Sequence, residues 1–314
     1  MNTTTPNDPS SSQPGAALSE PGADQWTAAK LESLEVLLAL VERPGRGVIM
    51  MKGPAGFGKT TVAAALAVML AKRGHVVHFC LTDDAANLAQ NLDGKIEGLT
   101  VSRIDPVAET ATYRSEILRV CGGTLSQAGR VMKEEDLRSP CTEEIAVFRA
   151  FAREIGERTD GFVVLDAAPS GHTLLLLDAG ATSQRELERQ AHSEQPAEVL
   201  RLLARVRDPA FARVLIITRP ETAAVQTAAA LQEDLRRAYV EPFGWIINQS
   251  RLGRGAGDPI LRQREADEHL QVCGEITAHT PRPVWLPWTA EALDGADGLV
   301  RLGSARLQIS GEQI

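Results

Sequence analysis

Eight consecutive residues, Gly53-Pro54-Ala55-Gly56-Phe57-Gly58-Lys59-Thr60, satisfy the pattern GxxxxGK[ST], and their chemistry is that of a phosphate cradle. The glycines let backbone N–H groups approach phosphate oxygens, and a helix opening at Lys59 adds a favourable dipole. Lys59 reaches the β- and γ-phosphates and Thr60, followed by Thr61, is placed to ligate Mg²⁺. Such a loop needs a strand before it and a helix after it. Val48 to Met51 is a short apolar run, and Thr60 to Lys72 is apolar nearly all round and stops at Gly74. With both flanks in place, a chance Gly-rich turn is the weaker reading.

Two further carboxylate positions could serve the same chemistry. Asp166 ends the apolar run Phe162 to Leu165, where an acidic residue at the carboxyl edge of a sheet can hold the metal through water. Asp83 and Asp84 follow another such run, Val76 to Leu81. A carboxylate there can orient or deprotonate an attacking water, or simply cap a helix at a strand exit; position alone does not separate the two.

The elements that must carry these residues follow from periodicity. Strands are expected at Val48 to Met51, Val76 to Leu81, Phe162 to Leu165, Val214 to Ile217, Trp245 to Ile247 and Val284 to Leu286, with a weaker one at Val101 to Ile104. Helical patterns lie between them. Thr27 to Glu42 places Leu31, Leu34, Leu38 and Val41 at helical spacing, and Pro220 to Ala238 has Pro in its first turn and Val225, Ala228, Leu231 and Leu235 on one face. Strands alternating with helices predict an α/β fold, a doubly wound, mostly parallel sheet of the P-loop NTPase kind. Residues 1–24, rich in Ser, Thr, Pro and Gly, are expected to be a disordered tail, 25–308 one domain with a small helical insertion over about 106–156, and 309–314 a second tail.

Composition narrows the function classes. Thirty-three Lys and Arg against 41 Asp and Glu give a net charge of −8, a field that disfavours nonspecific contact with nucleic acid or anionic lipid. Four cysteines, at 80, 121, 141 and 273, form no CxxC pair, so neither a zinc ribbon nor a disulfide scaffold is indicated. No basic residue precedes Lys30 and no apolar run approaches the about 18 residues of a membrane span, which predicts a cytoplasmic protein.

Several longer motifs carry a resemblance. Asp166-Ala-Ala-Pro-Ser-Gly-His172-Thr-Leu resembles the switch II signature DTAPTGHTL of the arsenite-pump ATPases (ArsA) and of their relatives that target tail-anchored membrane proteins. Thr82-Asp83-Asp84-Ala85-Ala86-Asn87-Leu88 is similar to that family's switch I, SDPAAHL. The stretch from Glu135 through Ser139-Pro140-Cys141 to Phe148 resembles the C-terminal half of ArsA, and Trp245-Ile-Ile-Asn248 its adenine-binding strand end. The likeness covers about residues 30 to 303. It implies Asp83 as the water-positioning carboxylate, Asp166 near Mg²⁺, Gly171 as a backbone sensor of the γ-phosphate, Asn248 as adenine ligand and Pro287 against the base, with Gly53, Gly56, Gly58, Lys59, Thr60 and Thr61 around the phosphates. Two departures stand out. The family's phosphate loop, GKGGVGKT, carries an extra lysine that crosses to a partner's nucleotide, and Pro54 occupies that position; the switch I Pro and His are Asp84 and Asn87.

Cys141 falls in the first turn of a helix that Ser139 can cap and Pro140 can open. The dipole there favours the thiolate, the form that binds a soft centre such as As(III) or Sb(III), while Glu143 and Glu144 oppose that. A lone cysteine is more often a packing residue. The resemblance points the other way, because Ser139, Cys141 and His172 match metalloid-site residues of ArsA. Trivalent arsenic prefers about three soft ligands, so a second subunit is expected to contribute, either a second copy or another ArsA-like chain. Cys80, Cys121 and Cys273 are expected to be structural, and the remaining histidines show no ligand spacing.

The resemblance therefore implies an ATP-hydrolysing, Mg²⁺-dependent, metalloid-stimulated dimer that drives a membrane arsenite carrier from the cytoplasm or the inner face of the plasma membrane. Two other readings stay open: a nucleotide-gated chaperone for tail-anchored proteins, and a regulatory ATP-binding half with little hydrolysis. Only Met132 of the five methionines lies in a helical insert, which offers little of the Met-rich groove that such a chaperone needs.

Overall fold

The structure is a computed structural model that describes residues 32–82, 88, 91–92, 94–121, 127–156, 160–177, 197–251, 272–280, 283–291, 293, 295–306, 308–309 and 312–313. The strands are β1 (Gly47–Lys52), β2 (Val77–Leu81), β3 (Leu99–Arg103), β4 (Phe162–Leu165), β5 (Ala212–Thr218), β6 (Gly244–Ser250) and β7 (Val284–Pro287). They form one seven-stranded, all-parallel sheet in the order β3-β2-β4-β1-β5-β6-β7. The helices are α1 (Leu34–Val41), α2 (Lys59–Lys72), α3 (Pro106–Cys121), α4 (Gln127–Asp136), α5 (Pro140–Gly156), α6 (Ala197–Val206), α7 (Thr222–Arg237) and α8 (Gly295–Ser304), with shorter helical segments over 171–177 and 272–279.

Alternation along the strands divides the core into two layers. Ile49, Met51, Phe79, Leu81, Val164 and Leu215 face α1, α2 and α8. Val48, Met50, Cys80, Leu165, Val214 and Trp285 face α5, α6 and α7. Apolar runs without a polar face are what a sheet covered on both sides requires. In α2 all ten residues from Val62 to Ala71 are buried, because the helix is held between the sheet and α8. The interval 106–156 is filled by α3, α4 and α5, and α5 lies on the sheet through Phe148, Phe151 and Ile155.

Three sequence expectations are corrected. The helix expected from Thr27 begins only at Leu34, because Glu32 is extended and pairs with the edge of β7: its N–H donates to the Pro283 carbonyl and its own carbonyl accepts from Trp285. Thr27 to Leu31 lie outside the described residues. Pro220 does not open α7; Glu221, in extended conformation, is the residue that flanks the first turn at Thr222. Several strands also run one to three residues past their apolar cores, since a ladder requires paired backbone rather than apolar side chains. Residues 308–309 and 312–313 form a two-stranded antiparallel pair inside the stretch expected to end in a tail, and the N-terminal tail lies outside the described residues. Among the described residues, no helix is long and apolar enough to cross a membrane.

Candidate nucleotide site

Chain order and sheet order diverge at β1, the central strand, whose neighbours are β4 on one side and β5 on the other. The crevice at the carboxyl end of such a strand is where an open α/β sheet binds its ligand. The loop 53–58 lies there. Gly58, the residue before α2, has φ +88, a left-handed conformation that favours glycine, and a Cβ on it would crowd the Asn248 amide nitrogen. Lys59 opens α2 and its ammonium donates to the Pro54 carbonyl at 3.0 Å, which holds the charge over the loop.

Asp166 emerges from β4 next to the ends of β1 and β2. It is 2% exposed. Its Oδ2 accepts from the Thr60 hydroxyl at 3.1 Å, and its Oδ1 accepts from the Thr82 N–H at 3.0 Å and the Thr82 hydroxyl at 2.7 Å. Burial pushes this carboxyl above its usual range, against the opposing pull of the Thr82 and Thr60 hydrogen bonds and the Lys59 charge. A hydroxyl and a buried carboxylate side by side are hard oxygen donors suited to Mg²⁺, and a cation there would relieve the desolvated charge. Thr82 was not among the expected site residues. Its signal is the pairing of β2 with β4, which brings the two strand ends together.

Asn248, at the end of β6, is buried beside the loop, where its Nδ2 donates to the Phe57 carbonyl at 2.9 Å and its Oδ1 accepts from the Gln249 N–H at 2.9 Å. With Pro287, Thr61, Gly58 and Trp288 it lines a cavity of about 120 Å³. An amide has donor and acceptor capacity beyond those two bonds for a base edge. Arg219, which follows β5, was also missed by sequence reasoning. It donates to the Gly56 carbonyl at 2.8 Å and its guanidinium sits 4.7 Å from the centre of the Phe57 ring, bracing the loop.

A larger cavity, about 640 Å³, opens on the other side of the loop, lined among others by Lys52, Lys59, Thr82, Asp105, Glu143 and Ala168. Here α5 is fastened to the segment after Asp166. Glu144 Oε2 accepts from the Ser170 N–H at 2.8 Å, the Ser170 hydroxyl at 2.6 Å and the Thr173 hydroxyl at 2.7 Å. Lys52 bridges the same parts, donating to the Ala168 carbonyl at 2.9 Å and lying 3.6 Å from Glu144. Cys141, half-buried, is one turn ahead of Glu144 on α5, and Ser139, exposed, precedes that helix. His172 is exposed on the segment 171–177. The Gly171 N–H donates to the Asp234 carboxylate of α7 at 2.7 Å, and α7 packs so closely there that a Cβ at Gly171 would run into the Asp234 carbonyl. Asp83, Asp84 and Asn87 lie outside the described residues.

Burial raises the Glu144 carboxyl, but Lys52 and the Ser170 and Thr173 hydrogen bonds outweigh it and hold the group below its usual range. A depressed folded value contributes stability above the unfolded value and loses it as pH falls through the folded one. Glu144→Gln should therefore be destabilised at neutral pH and converge with the parent in acid. The expected difference is about 1 kcal/mol, kept small by solvent screening of a carboxylate that is 37% exposed, and is read by urea denaturation from about pH 7 to 3. A constant gap across that range would mean that the charge contributes nothing.

Cys80 and Cys273 are buried, and burial pushes the Cys273 thiol up to about 12. Nothing is described of the Cys121 side chain.

Comparison with known proteins adds to this geometry. The profile of the family described as Anion-transporting ATPase matches residues 46–240. The arsenical pump-driving ATPase of Escherichia coli is 43% identical over 298 residues, 93% of this chain and 50% of that protein. The enzyme of the same name from Acidiphilium multivorum is 44% identical over 272 residues, 87% of this chain and 46% of its own. ATPase ASNA1 homolog 2 of Paramecium tetraurelia is 31% identical over 150 residues, 44% of this chain. The chain spans about half the length of the arsenical pump relatives it matches.

Proposed function

The chain belongs to the anion-transporting ATPase (ArsA) family, and from that premise we propose that it binds MgATP at the phosphate loop and hydrolyses it to drive arsenite or antimonite export through a membrane carrier. One observation carries the nucleotide part: Lys59, Thr60, Thr82 and Asp166 converge at the carboxyl end of β1, β2 and β4, an arrangement of cation, hydroxyls and buried carboxylate that suits a triphosphate with its metal. In this reading Lys59 leaves the Pro54 carbonyl for the phosphates, and Thr60 and Asp166 hold Mg²⁺ directly and through water. Asp83 orients the attacking water, Gly171 turns from Asp234 to the γ-phosphate, and Asn248 and Pro287 take the base.

Coupling to a metalloid is supported by the position of α5. Cys141 and Ser139 stand at the start of the helix whose Glu144 grips Ser170 and Thr173, and His172 lies between those two. A ligand that draws Cys141 and His172 together with a thiolate from a partner chain shifts the population toward the hydrolytic state by its differential affinity. The partner in this reading is a second copy or another ArsA-like chain. Pro54 has no ammonium to donate across such a junction, so the partner's own lysine has a part to play when the partner carries one.

The test is steady-state ATP turnover, with and without antimonite, in the presence of each candidate partner. Cys141→Ser is expected to lose the metalloid stimulation, a change of about tenfold or more, while keeping basal turnover and MgATP binding. Stimulation equal to the parent's would contradict the metalloid assignment and leave the nucleotide site standing. The exposed Val107 of α3 and the exposed Val131 and Met132 of α4 favour a second reading, in which the helical insertion takes an apolar client segment. Nucleotide-dependent capture of a tail-anchored peptide, with no response to antimonite, would select it.

A further inference from the structure

Strand β2 sets His78 and Cys80 two residues apart on one face, and α5 lies over that face with Glu154 directed onto them. One ligand atom from each of the three falls within 4.8 Å of the other two. His78 Nε2 is 3.0 Å from Glu154 Oε2 and 3.0 Å from the Ser102 hydroxyl of β3, and that hydroxyl donates to Cys80 Sγ at 3.3 Å. The other ring nitrogen, Nδ1, lies 2.8 Å from the Thr100 hydroxyl, an outer partner of the kind that fixes the orientation of a ligating imidazole.

We propose that His78, Cys80 and Glu154 form a binding site for one borderline-soft divalent cation of the Zn²⁺ class, with the Ser102 hydroxyl or a water as fourth ligand. Imidazole, thiolate and carboxylate are the donors that zinc accepts in tetrahedral array, whereas Mg²⁺ and Ca²⁺ seek oxygen alone. His78 and Cys80 are buried, which keeps these two donors from water, and the Glu154 side chain is 36% exposed, which gives an ion its way in. Binding replaces the Nε2 contacts with Glu154 and Ser102 by bonds to the ion, and the Cys80 thiol gives up its proton to solvent. Sequence spacing could not show the set, because Glu154 comes from a helix far along the chain.

The ion would staple α5 to the sheet beside the nucleotide site. The Cys80 carbonyl accepts the Asp166 N–H at 3.3 Å, and Leu81 leads directly to Thr82, which holds the Asp166 carboxylate. The same helix carries Glu144 at its other end. The site is independent of metalloid binding at Cys141 and stands or falls apart from it.

The experiment is titration of the full, metal-free chain with Cd²⁺, read by the thiolate-to-cadmium charge-transfer absorption, followed by displacement with Zn²⁺. One ion per chain is expected, with the band kept in Cys141→Ser and lost in Cys80→Ala. Because Cys80 is wholly buried, a second variant at the rim secures the result: Glu154→Gln should keep MgATP binding and weaken Zn²⁺ at least tenfold. Absence of the band from the parent would overturn the site, as would a band that survives Cys80→Ala but not Cys141→Ser, or unchanged Zn²⁺ affinity in Glu154→Gln.

Discussion

Lys59→Ala is expected to lose MgATP binding by a factor of about 100 or more while the chain remains folded. Lys59 opens α2 with its ammonium resting on the Pro54 carbonyl and its charge acting on Asp166, so its removal loosens polar contacts at the loop and leaves the buried face of α2, which begins at Val62, in place. What it removes in the bound state is larger, because charge-assisted hydrogen bonds to phosphate contribute about 1.5 to 3 kcal/mol each and the side chain can reach two phosphates. Fluorescent nucleotide titration of parent and variant, with thermal unfolding of both without nucleotide, separates loss of binding from loss of fold. Equal affinity would mean that the triphosphate does not occupy this loop.

Asp166→Asn should show the opposite pairing of effects, a large functional loss with no loss of intrinsic stability. Burial holds the Asp166 carboxyl above its usual range. A raised folded value means that the charged form costs stability, a cost that appears as pH rises from the unfolded value through the folded one and persists at neutral pH. Asparagine lifts that cost and keeps the shape: its amide oxygen can accept from the Thr82 N–H and hydroxyl, and the Thr60 hydroxyl can turn to accept from the amide nitrogen. It cannot supply the negative charge that Mg²⁺ requires, and a metal that stabilises a phosphoryl transition state contributes several kcal/mol, so turnover should fall about 10³-fold. Urea denaturation without nucleotide at neutral pH, beside ATP turnover across a Mg²⁺ titration, reads both effects. A variant well below the parent in stability would show that the Asp166 charge is a structural asset, and full turnover would show that the metal is held elsewhere.

The legible parts of this protein are those whose signal is local. The loop 53–60 is contiguous, its strand and helix flank it directly, and Asp166 ends an apolar run, so residue type and neighbours suffice to place all of them at one sheet edge. The order of the strands was legible only as a class, since β2 reaches β4 through crossovers that local sequence does not encode. Thr82 and Arg219 were missed for that reason: each becomes a site residue by what the sheet places beside it, Asp166 in one case and the Phe57 ring in the other. His78, Cys80 and Glu154 illustrate the same limit, two residues of one strand face meeting a helix from a distant stretch. The misplaced start of α1 has a different cause, a backbone bridge from Glu32 to β7 that outweighs helical periodicity. Gly171 was assigned from a motif, but the direction of its N–H depends on which partner the loop meets, and here that is Asp234.

Calorimetric titration of the purified chain with ATP, in the presence and absence of Mg²⁺ and followed by assay of released phosphate, tests the nucleotide site most directly. The expected result is one ATP per chain, bound more tightly with Mg²⁺, and phosphate released only when the metal is present. An absence of binding heat, or binding and hydrolysis indifferent to Mg²⁺, would contradict a site built from Lys59, Thr60, Thr82 and Asp166.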